Sequence, residues 1–252
     1  MTLLATKNLK KYFGETRAVD RIDFVVEQGE VLSLVGSNGA GKTTLVNLIS
    51  GLIPPDDGTI FFQGNDVTSV SAYDRIRAGI ARSFQIVNLF DQLTALDNVG
   101  LAIFSREGKT RKLMSLAESD GEVKQEALEI LDQFGIEDKR NVLAAGLAQG
   151  ERKLLDIAVA YSLRPKLLLL DEPTSGVSTR EKGEIMDTIS SVVRAGRITA
   201  TIVEHDMDVV FKYSDRVVVM YQGKILADGT PDEIRENGEV KDTLLGTSER
   251  GV

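Results

Sequence analysis

Nine residues near the start of the chain constrain its fold more than any other stretch. The segment Gly36-Ser-Asn-Gly-Ala-Gly-Lys-Thr-Thr44 fits the phosphate-binding loop pattern G-x-x-x-x-G-K-[ST]. The apolar run at 31–35 is typical of a buried strand, and the apolar spacing over 45–52 predicts a helix. Strand, glycine-rich loop and helix in this order predict an α/β core whose backbone wraps closely around a polyphosphate.

The loop residues predict how a nucleotide binds. The N-terminus of the helix after the loop adds a partial positive charge that favours an anion. We expect Lys42 to reach the β- and γ-phosphates and the Thr43 hydroxyl to ligate Mg²⁺. The predicted nucleotide-binding residues of the loop are Gly36, Ser37, Asn38, Gly39, Ala40, Gly41, Lys42, Thr43 and Thr44. The alternative, a glycine-rich turn with a chance lysine, does not explain the strand and helix that flank it.

Composition argues against several classes of protein. The chain has 252 residues, enough for one large or two small domains. It has no cysteine, so disulfides and thiolate metal sites are excluded. Its net charge of −8 argues against a nucleic-acid binder, and no apolar run approaches the length of a membrane span. The first residues do not show a signal-peptide pattern.

The middle of the chain differs from both ends. Long strand patterns disappear over 86–162, and helical spacing is present at 97–104, 122–134 and 151–163. Strand patterns resume at 167–170. The spacing therefore predicts a helical insert between two parts of an α/β core.

Two acidic residues follow a buried strand. Asp171 and Glu172 come directly after Leu167-Leu-Leu-Leu170. In a parallel sheet the carboxyl ends of the strands form the edge where ligands bind. We expect Asp171 to hold the Mg²⁺ shell and Glu172 to polarise the water that attacks the γ-phosphate. The alternative, a helix cap or turn pair, is disfavoured by the phosphate loop in the same chain.

Two further polar residues also end strand patterns. His205 is the only histidine in the chain and follows the β-branched run 198–203, which predicts a phosphate contact at the same sheet edge. Gln85 ends the short run 80–84. One alternative is that its amide binds Mg²⁺, a metal-bound water or the attacking water, and the other is that it is a hydrogen-bonded amide on the surface. The sequence leaves these alternatives for Gln85 open.

Two aromatic residues, Tyr12 and Phe13, lie ahead of every nucleotide motif. They either pack in a strand or offer a face on which an adenine ring stacks. Residue type alone does not separate these readings.

Together these residues resemble the nucleotide-binding subunit of an ATP-binding-cassette (ABC) transporter, over nearly the whole chain. The resemblance identifies Gly36–Thr44 as the Walker A motif, Gln85 as the Q-loop glutamine and His205 as the switch histidine. Leu167–Glu172 is then the Walker B strand with its catalytic glutamate. The adenine-stacking aromatic is Tyr12 or Phe13, with Phe13 better aligned because Gly14 follows it, and Val19 lies beside it.

The resemblance also implies a subfamily and partners. Four segments are similar to the ATPases of branched-chain amino acid importers: Arg82-Ser-Phe-Gln-Ile-Val-Asn-Leu-Phe90, Glu204-His-Asp-Met207, Gly229-Thr-Pro-Asp-Glu233 and Leu244-Leu-Gly246. Such a subunit uses ATP and Mg²⁺ and pairs with a second ABC ATPase subunit, identical or different. It docks on integral membrane permease subunits and is expected in the cytoplasm, on the inner face of the cell membrane.

The expected fold class is α/β: a P-loop NTPase core with an antiparallel β subdomain and a helical insert. Residues 1–252 are predicted to form one ABC nucleotide-binding domain. Its parts are a β-rich first segment at 1–30, a core at 31–85 and 163–230, a helical subdomain at 86–162 and a C-terminal helix at 231–252.

Two motifs depart from the family pattern. The signature motif, usually Leu-Ser-Gly-Gly-Gln, reads Leu147-Ala-Gln-Gly-Glu151, and it closes over ATP held by the other subunit. Its predicted nucleotide contacts are Ala148, Gln149 and Gly150. Ala148 lacks the hydroxyl of the family's serine, Gln149 is bulkier than the family's glycine, and Glu151 brings a negative charge near the phosphate. One lost charge-assisted hydrogen bond costs roughly 1.5–3 kcal/mol, so we expect a weakened site in trans. The loop after Walker B ends in Ser178 where the family has aspartate, which puts coupling across the dimer in doubt.

The leading interpretation is an ATP-hydrolysing motor for a membrane importer of branched-chain or other amino acids. The alternative is a regulatory subunit that holds ATP with little turnover and pairs with an active partner. A soluble cassette protein of translation or DNA repair usually needs two cassettes, and a small-molecule kinase does not explain the helical insert followed by His205.

Overall fold

The computed structural model describes residues 1–83, 89–108 and 121–245. Strands in these residues are β1 Thr2–Phe13, β2 Thr16–Glu27, β3 Val31–Gly36, β4 Asp57–Phe62, β5 Asn65–Asp66, β6 Ile80–Arg82, β7 Leu167–Asp171, β8 Thr199–Val203, β9 Arg216–Tyr221 and β10 Lys224–Gly229. The α-helices are α1 Lys42–Ser50, α2 Ala72–Ala78, α3 Ala95–Arg106, α4 Gly121–Gln133, α5 Gln149–Ser162, α6 Thr179–Ala195, α7 Met207–Tyr213, α8 Pro231–Glu236 and α9 Gly238–Val240. Glu137–Lys139 and Ala144–Gly146 form 3₁₀ turns, and Lys241–Leu245 forms a π turn.

The chain forms two compact units. The first unit contains Met1–Arg75 and Thr199–Val252, and the second contains Ile76–Ile198. The compact units divide the chain after Arg75 and after Ile198. The internal boundaries predicted at 85/86 and 162/163 stay predictions.

The first unit contains an antiparallel sheet in the order β2-β1-β4-β5. It also contains four strands in the order β10-β9-β3-β8. Strand β3 runs parallel to both neighbours, with Leu34 opposite Val203 of β8 and Val218 of β9. All six residues of β3 are buried, which explains its continuous apolar run. Because β3 and β8 are parallel, the residues that follow them lie at one edge of the sheet.

Arg75 anchors the far end of helix α1 within the first unit. Its side chain is 1% exposed. The Nη1 atom donates to the carbonyl oxygens of Leu48 (2.6 Å) and Ile49 (2.8 Å), near the C-terminus of α1. The Nη2 and Nε atoms donate to the carbonyls of Thr68 (2.9 Å) and Val70 (3.0 Å). A buried cation therefore pairs with two carbonyls in the last turn of the helix, where the helix dipole favours positive charge.

The second unit combines two parallel strands with helices. Ala81 of β6 pairs with Leu168 of β7. Helix α4 buries one stripe, namely Val123, Ala127, Ile130 and Leu131. Arg106 joins the helices, since its Nη1 atom donates to Glu126 of α4 (2.7 Å) and to the carbonyl of Ser162 of α5 (2.7 Å). The hydrogen bond from Arg106 lowers the pKa of Glu126 below its ordinary value.

Two elements differ from the sequence prediction. Helix α1 begins at Lys42, ahead of the first periodic apolar residue, because Gly41 (φ 104°) lets the chain turn directly from loop to helix. The segment predicted as a C-terminal helix over 231–252 is divided at Asn237, which has extended backbone and accepts a hydrogen bond from the Val240 N–H. Among the described residues no helix is long and apolar enough to cross a bilayer.

Candidate functional site

The phosphate-binding loop lies in the first unit, at the end of β3. Gly36 (φ 152°) and Gly41 (φ 104°) both have backbone conformations that favour glycine. A Cβ atom at Gly36 would collide with the carbonyl oxygen of Met220, and one at Gly41 with that of Ala18. The loop is therefore held between the backbones of β9 and β2, and only glycine fits at these two positions.

Lys42 and the start of α1 make this loop electropositive. The Lys42 ammonium donates to the carbonyls of Gly36 (2.7 Å) and Ser37 (3.1 Å), so the side chain folds over the loop. Gly41 caps α1 without a side chain, and the first turn has no acidic residue. The Thr43 side chain is exposed at this end of the helix. The segment thus combines N–H groups, a helix dipole and a cation, which suits a polyphosphate.

The two candidate aromatic residues have different surroundings. The Tyr12 hydroxyl donates to Asp20 Oδ1 (2.7 Å), and this bond raises the pKa of Tyr12 and lowers that of Asp20. Phe13 is 53% exposed, with the Lys11 ammonium 5.8 Å from its ring centre. Phe13 is therefore the ring that is open to a base. Val19 is fully buried, so its side chain does not offer a surface to a ligand.

His205 follows β8 at the same sheet edge as the loop. The Glu204 N–H donates to the Leu34 carbonyl (3.4 Å), which continues the pairing of β8 with β3. The His205 side chain is exposed, and its backbone N–H lies 3.2 Å from Oε2 of the buried Glu204. The parallel pairing thus brings His205 and the phosphate-binding loop to one edge of the first unit.

Asp171 lies in the second unit, at the end of β7. It is 2% exposed, and its Oδ2 atom accepts from Arg82 Nη2 at 2.7 Å. The Oδ1 atom is buried and has no hydrogen-bond partner among the described residues. A buried carboxylate oxygen left in this state suits a hard cation or its bound water, so the residues present fit Mg²⁺.

Glu172, the next residue, has a left-handed backbone (φ 49°), which is uncommon for a residue with a side chain. Its carbonyl accepts from the Ser175 N–H (3.1 Å), which closes a turn. Such conformations are held by their surroundings and concentrate at functional sites. Gln85, the third predicted catalytic residue, lies outside the described residues.

The signature segment starts helix α5, and its side chains turn back onto their own chain. Glu151 Oε2 accepts from the Ala148 N–H (2.8 Å), and Oε1 lies 3.5 Å from the Lys139 ammonium. The Gln149 amide lies against Gly176, whose added Cβ would collide with it. Gly150 is buried. In this arrangement the Glu151 charge is paired within the second unit, and its expected opposition to a phosphate of the partner's nucleotide stays a prediction.

Ser178 has a local role that the sequence interpretation missed. It caps α6, since its Oγ accepts from the Glu181 N–H (3.4 Å) and its own N–H donates to Glu181 Oε2 (2.9 Å). The serine three residues before a glutamate is the sequence signal for this capping box. The ion pair of Arg82 with Asp171 was also missed, because the two residues lie 89 positions apart in the chain.

A profile of the family described as ABC transporter matches residues 19–175, more than half of the chain. The chain belongs to the ABC transporter family. The high-affinity branched-chain amino acid transport ATP-binding protein of Pseudomonas aeruginosa is 34% identical to this ABC transporter chain, over 97% of this chain and 98% of that protein.

Solved structures agree with this ABC transporter assignment. The ADP conformation of an ATP-binding cassette of an ABC transporter matches with a TM-score of 0.86 and 29% identity, over 98% of this chain and 99% of that one. A dimeric ATP-binding cassette in a post-hydrolysis state, bound to ADP and Pi, matches with a TM-score of 0.78 and 26% identity, over 91% and 99% of the two chains. The predicted resemblance, fold class and ATPase function are confirmed.

Proposed function

We propose that this chain is the ATP-hydrolysing subunit of an importer of branched-chain amino acids. The observation that carries this proposal is the match, over nearly the full length of both chains, to a relative named for branched-chain amino acid transport. The binding features of the first unit agree with it, because loop, lysine and helix start form an anion-binding surface.

Binding is assigned to the first unit. Backbone N–H groups of residues 36–44 bind the phosphates, and Lys42 supplies the positive charge next to them. Phe13 stacks on the adenine, because it is the exposed ring of the pair. His205 contacts the terminal phosphate from the edge that it shares with the loop.

Hydrolysis needs a metal ion, an attacking water and their supports. Mg²⁺ neutralises charge on the β- and γ-phosphates when it is bound. Thr43 offers an exposed hydroxyl to the metal, and Asp171 offers the buried Oδ1 atom. Glu172 orients and polarises the attacking water. Gln85 is proposed to bind Mg²⁺ or a water, on the family resemblance alone.

The partners follow the same proposal. Two ABC ATPase subunits, identical or different, close together on ATP, and Ala148, Gln149 and Gly150 face the nucleotide of the partner. Membrane permease subunits receive the motion, which places the chain on the inner face of the cell membrane.

Uptake measurements test the solute. We expect a strain that lacks this chain to lose high-affinity uptake of radiolabelled leucine, isoleucine and valine. The wild-type chain should restore uptake, and Glu172→Gln should not. Uptake that is unchanged in the deletion strain would reject branched-chain amino acids as the solute.

Solution mass tests the motor. Purified Glu172→Gln should dimerise with Mg-ATP, since blocked hydrolysis traps the closed pair, whereas Lys42→Ala should stay monomeric. A Glu172→Gln monomer that binds ATP tightly would reject self-pairing and favour the regulatory alternative with an active partner subunit.

A further inference from the structure

Lys153 is a buried cation to which no role has been assigned. It lies in α5, four residues after the start of that helix, and is 5% exposed. Its ammonium lies 3.3 Å from the Glu172 carbonyl and 3.1 Å from Ser175 Oγ. A buried lysine is costly unless its charge is hydrogen-bonded, so these contacts hold the side chain at this place.

Both of these acceptors lie on the turn that carries Glu172, one at each end of it. The Ser175 N–H donates to the Glu172 carbonyl, and Glu172 itself has the left-handed backbone (φ 49°). Without support, a residue with a side chain leaves this conformation easily. The Lys153 ammonium fixes the carbonyl direction of Glu172, and thereby the path of the backbone from which its carboxylate projects.

We propose that Lys153 is a positioning residue for Glu172, and the proposal rests on the proposed function of Glu172 in ATP hydrolysis. Lys153 belongs to the helix that the signature segment begins. A second contact, Gln149 against Gly176, joins the same helix to the same loop. Displacement of α5 therefore moves the backbone that carries the glutamate of the same chain.

The test compares the hydrolysis kinetics of Lys153→Met with the wild-type chain, both full-length. We expect kcat to fall on the order of tenfold or more, while the KM for ATP changes by less than about threefold, since phosphate binding is assigned to residues 36–44. Lys153→Arg keeps donors at this position and should recover part of kcat. Lys166→Met, at an exposed position of the same unit, should leave kcat unchanged.

A double variant separates positioning from a general loss of structure. In a Glu172→Gln background, Lys153→Met should not lower single-turnover hydrolysis further, because there is no carboxylate left to position. If Lys153→Met does not fold, Ser175→Ala removes the Oγ acceptor of Lys153 and should show the same separation of kcat from KM in a weaker form.

Three outcomes would overturn the proposal. They are a normal kcat in Lys153→Met, a loss confined to KM, and a further loss in the Glu172→Gln background. If the wild-type chain itself fails to hydrolyse ATP, the proposed function fails first. If the wild type and Lys153→Met hydrolyse ATP equally, only the role of Lys153 fails.

Discussion

The phosphate-binding loop and the signature segment both precede a helix, yet they are built in opposite ways. The loop is formed by backbone, with Gly36 and Gly41 placed where any side chain would strike a carbonyl. The signature segment is formed by side chains that contact their own chain, as Glu151 and Gln149 do.

This difference shows which substitutions a site tolerates. A backbone-built site loses its shape when one atom is added, so its pattern is strict. At the signature segment, Gln149 and Glu151 replace the family residues, and nearby residues of the same chain contact the new side chains. We therefore expect large effects around the loop and its helix, and small ones at the signature segment.

The largest expected effect is at the far end of the loop helix. Arg75→Met removes a side-chain donor from four buried or half-buried carbonyls and should lower the free energy of unfolding by about 3–5 kcal/mol. Urea unfolding measures it. Arg77→Met, on the exposed face of α2, the helix that carries Arg75, is the control and should change stability by about 0.5 kcal/mol or less. Equal effects of the two variants would contradict the anchoring role of Arg75.

The loop itself comes next. Gly41→Ala places a methyl group against the Ala18 carbonyl in a left-handed backbone, and we expect a loss of ATP affinity of about 3 kcal/mol, roughly a hundredfold. A fluorescent ATP analogue reports this affinity. Gly39→Asn tests the backbone conformation alone, because a Cβ at Gly39 meets no atom within 4 Å. Gly39→Asn should bind ATP nearly as well as the wild type. A loss of ATP affinity equal to that of Gly41→Ala would show that backbone conformation, and not the contact with the Ala18 carbonyl, requires glycine in the loop.

Ser178→Ala removes a helix cap and should cost about 1 kcal/mol of unfolding free energy at pH 7. The hydrogen bond from Ser178 holds the pKa of Glu181 below its ordinary value of 4.5. A depressed carboxyl pKa stabilises the folded state above that value, and this stabilisation is lost as the pH falls through the folded pKa. The difference between wild type and Ser178→Ala should therefore shrink between pH 5 and pH 3, roughly. Ser178→Asp keeps an acceptor at the cap and should keep most of the stability at pH 7.

The smallest expected effect is at the signature segment. Glu151→Gln keeps the acceptor for the Ala148 N–H and removes only the charge paired with Lys139. Stability should change by less than about 0.5 kcal/mol, as for other exposed ion pairs. ATP affinity and kcat should stay within about twofold of the wild type. A large gain in affinity would show that the Glu151 charge does oppose a phosphate, as the sequence alone suggested.

The sequence predicted the parts of the site that depend on local pattern. The loop, the strand before Asp171 and the strand before His205 were readable because spacing and residue type define them within about ten residues. The residues that hold Asp171 and Glu172 in place could not be predicted, because they lie far from these carboxylates in the chain. Arg82 reaches Asp171 across 89 residues, and Lys153 reaches Glu172 across 19.

Residue type also left choices that only contacts resolve. Tyr12 and Phe13 are adjacent and both aromatic, and the hydrogen bond of Tyr12 to Asp20 separates them. The role of Ser178 was interpreted from its difference with the family, while the structure shows a cap for α6.

Helix α1 is nine residues long, about 13 Å, which is too short to persist in water by itself. It is held at one end by a loop without side-chain room and at the other by the buried Arg75. Its backbone amides can therefore exchange with solvent hydrogen only when one of these two ends comes apart. A nucleotide bound to the loop should therefore slow amide hydrogen exchange along the whole of α1. The exchange rates of amides as far away as Ser50 then report whether the site is occupied.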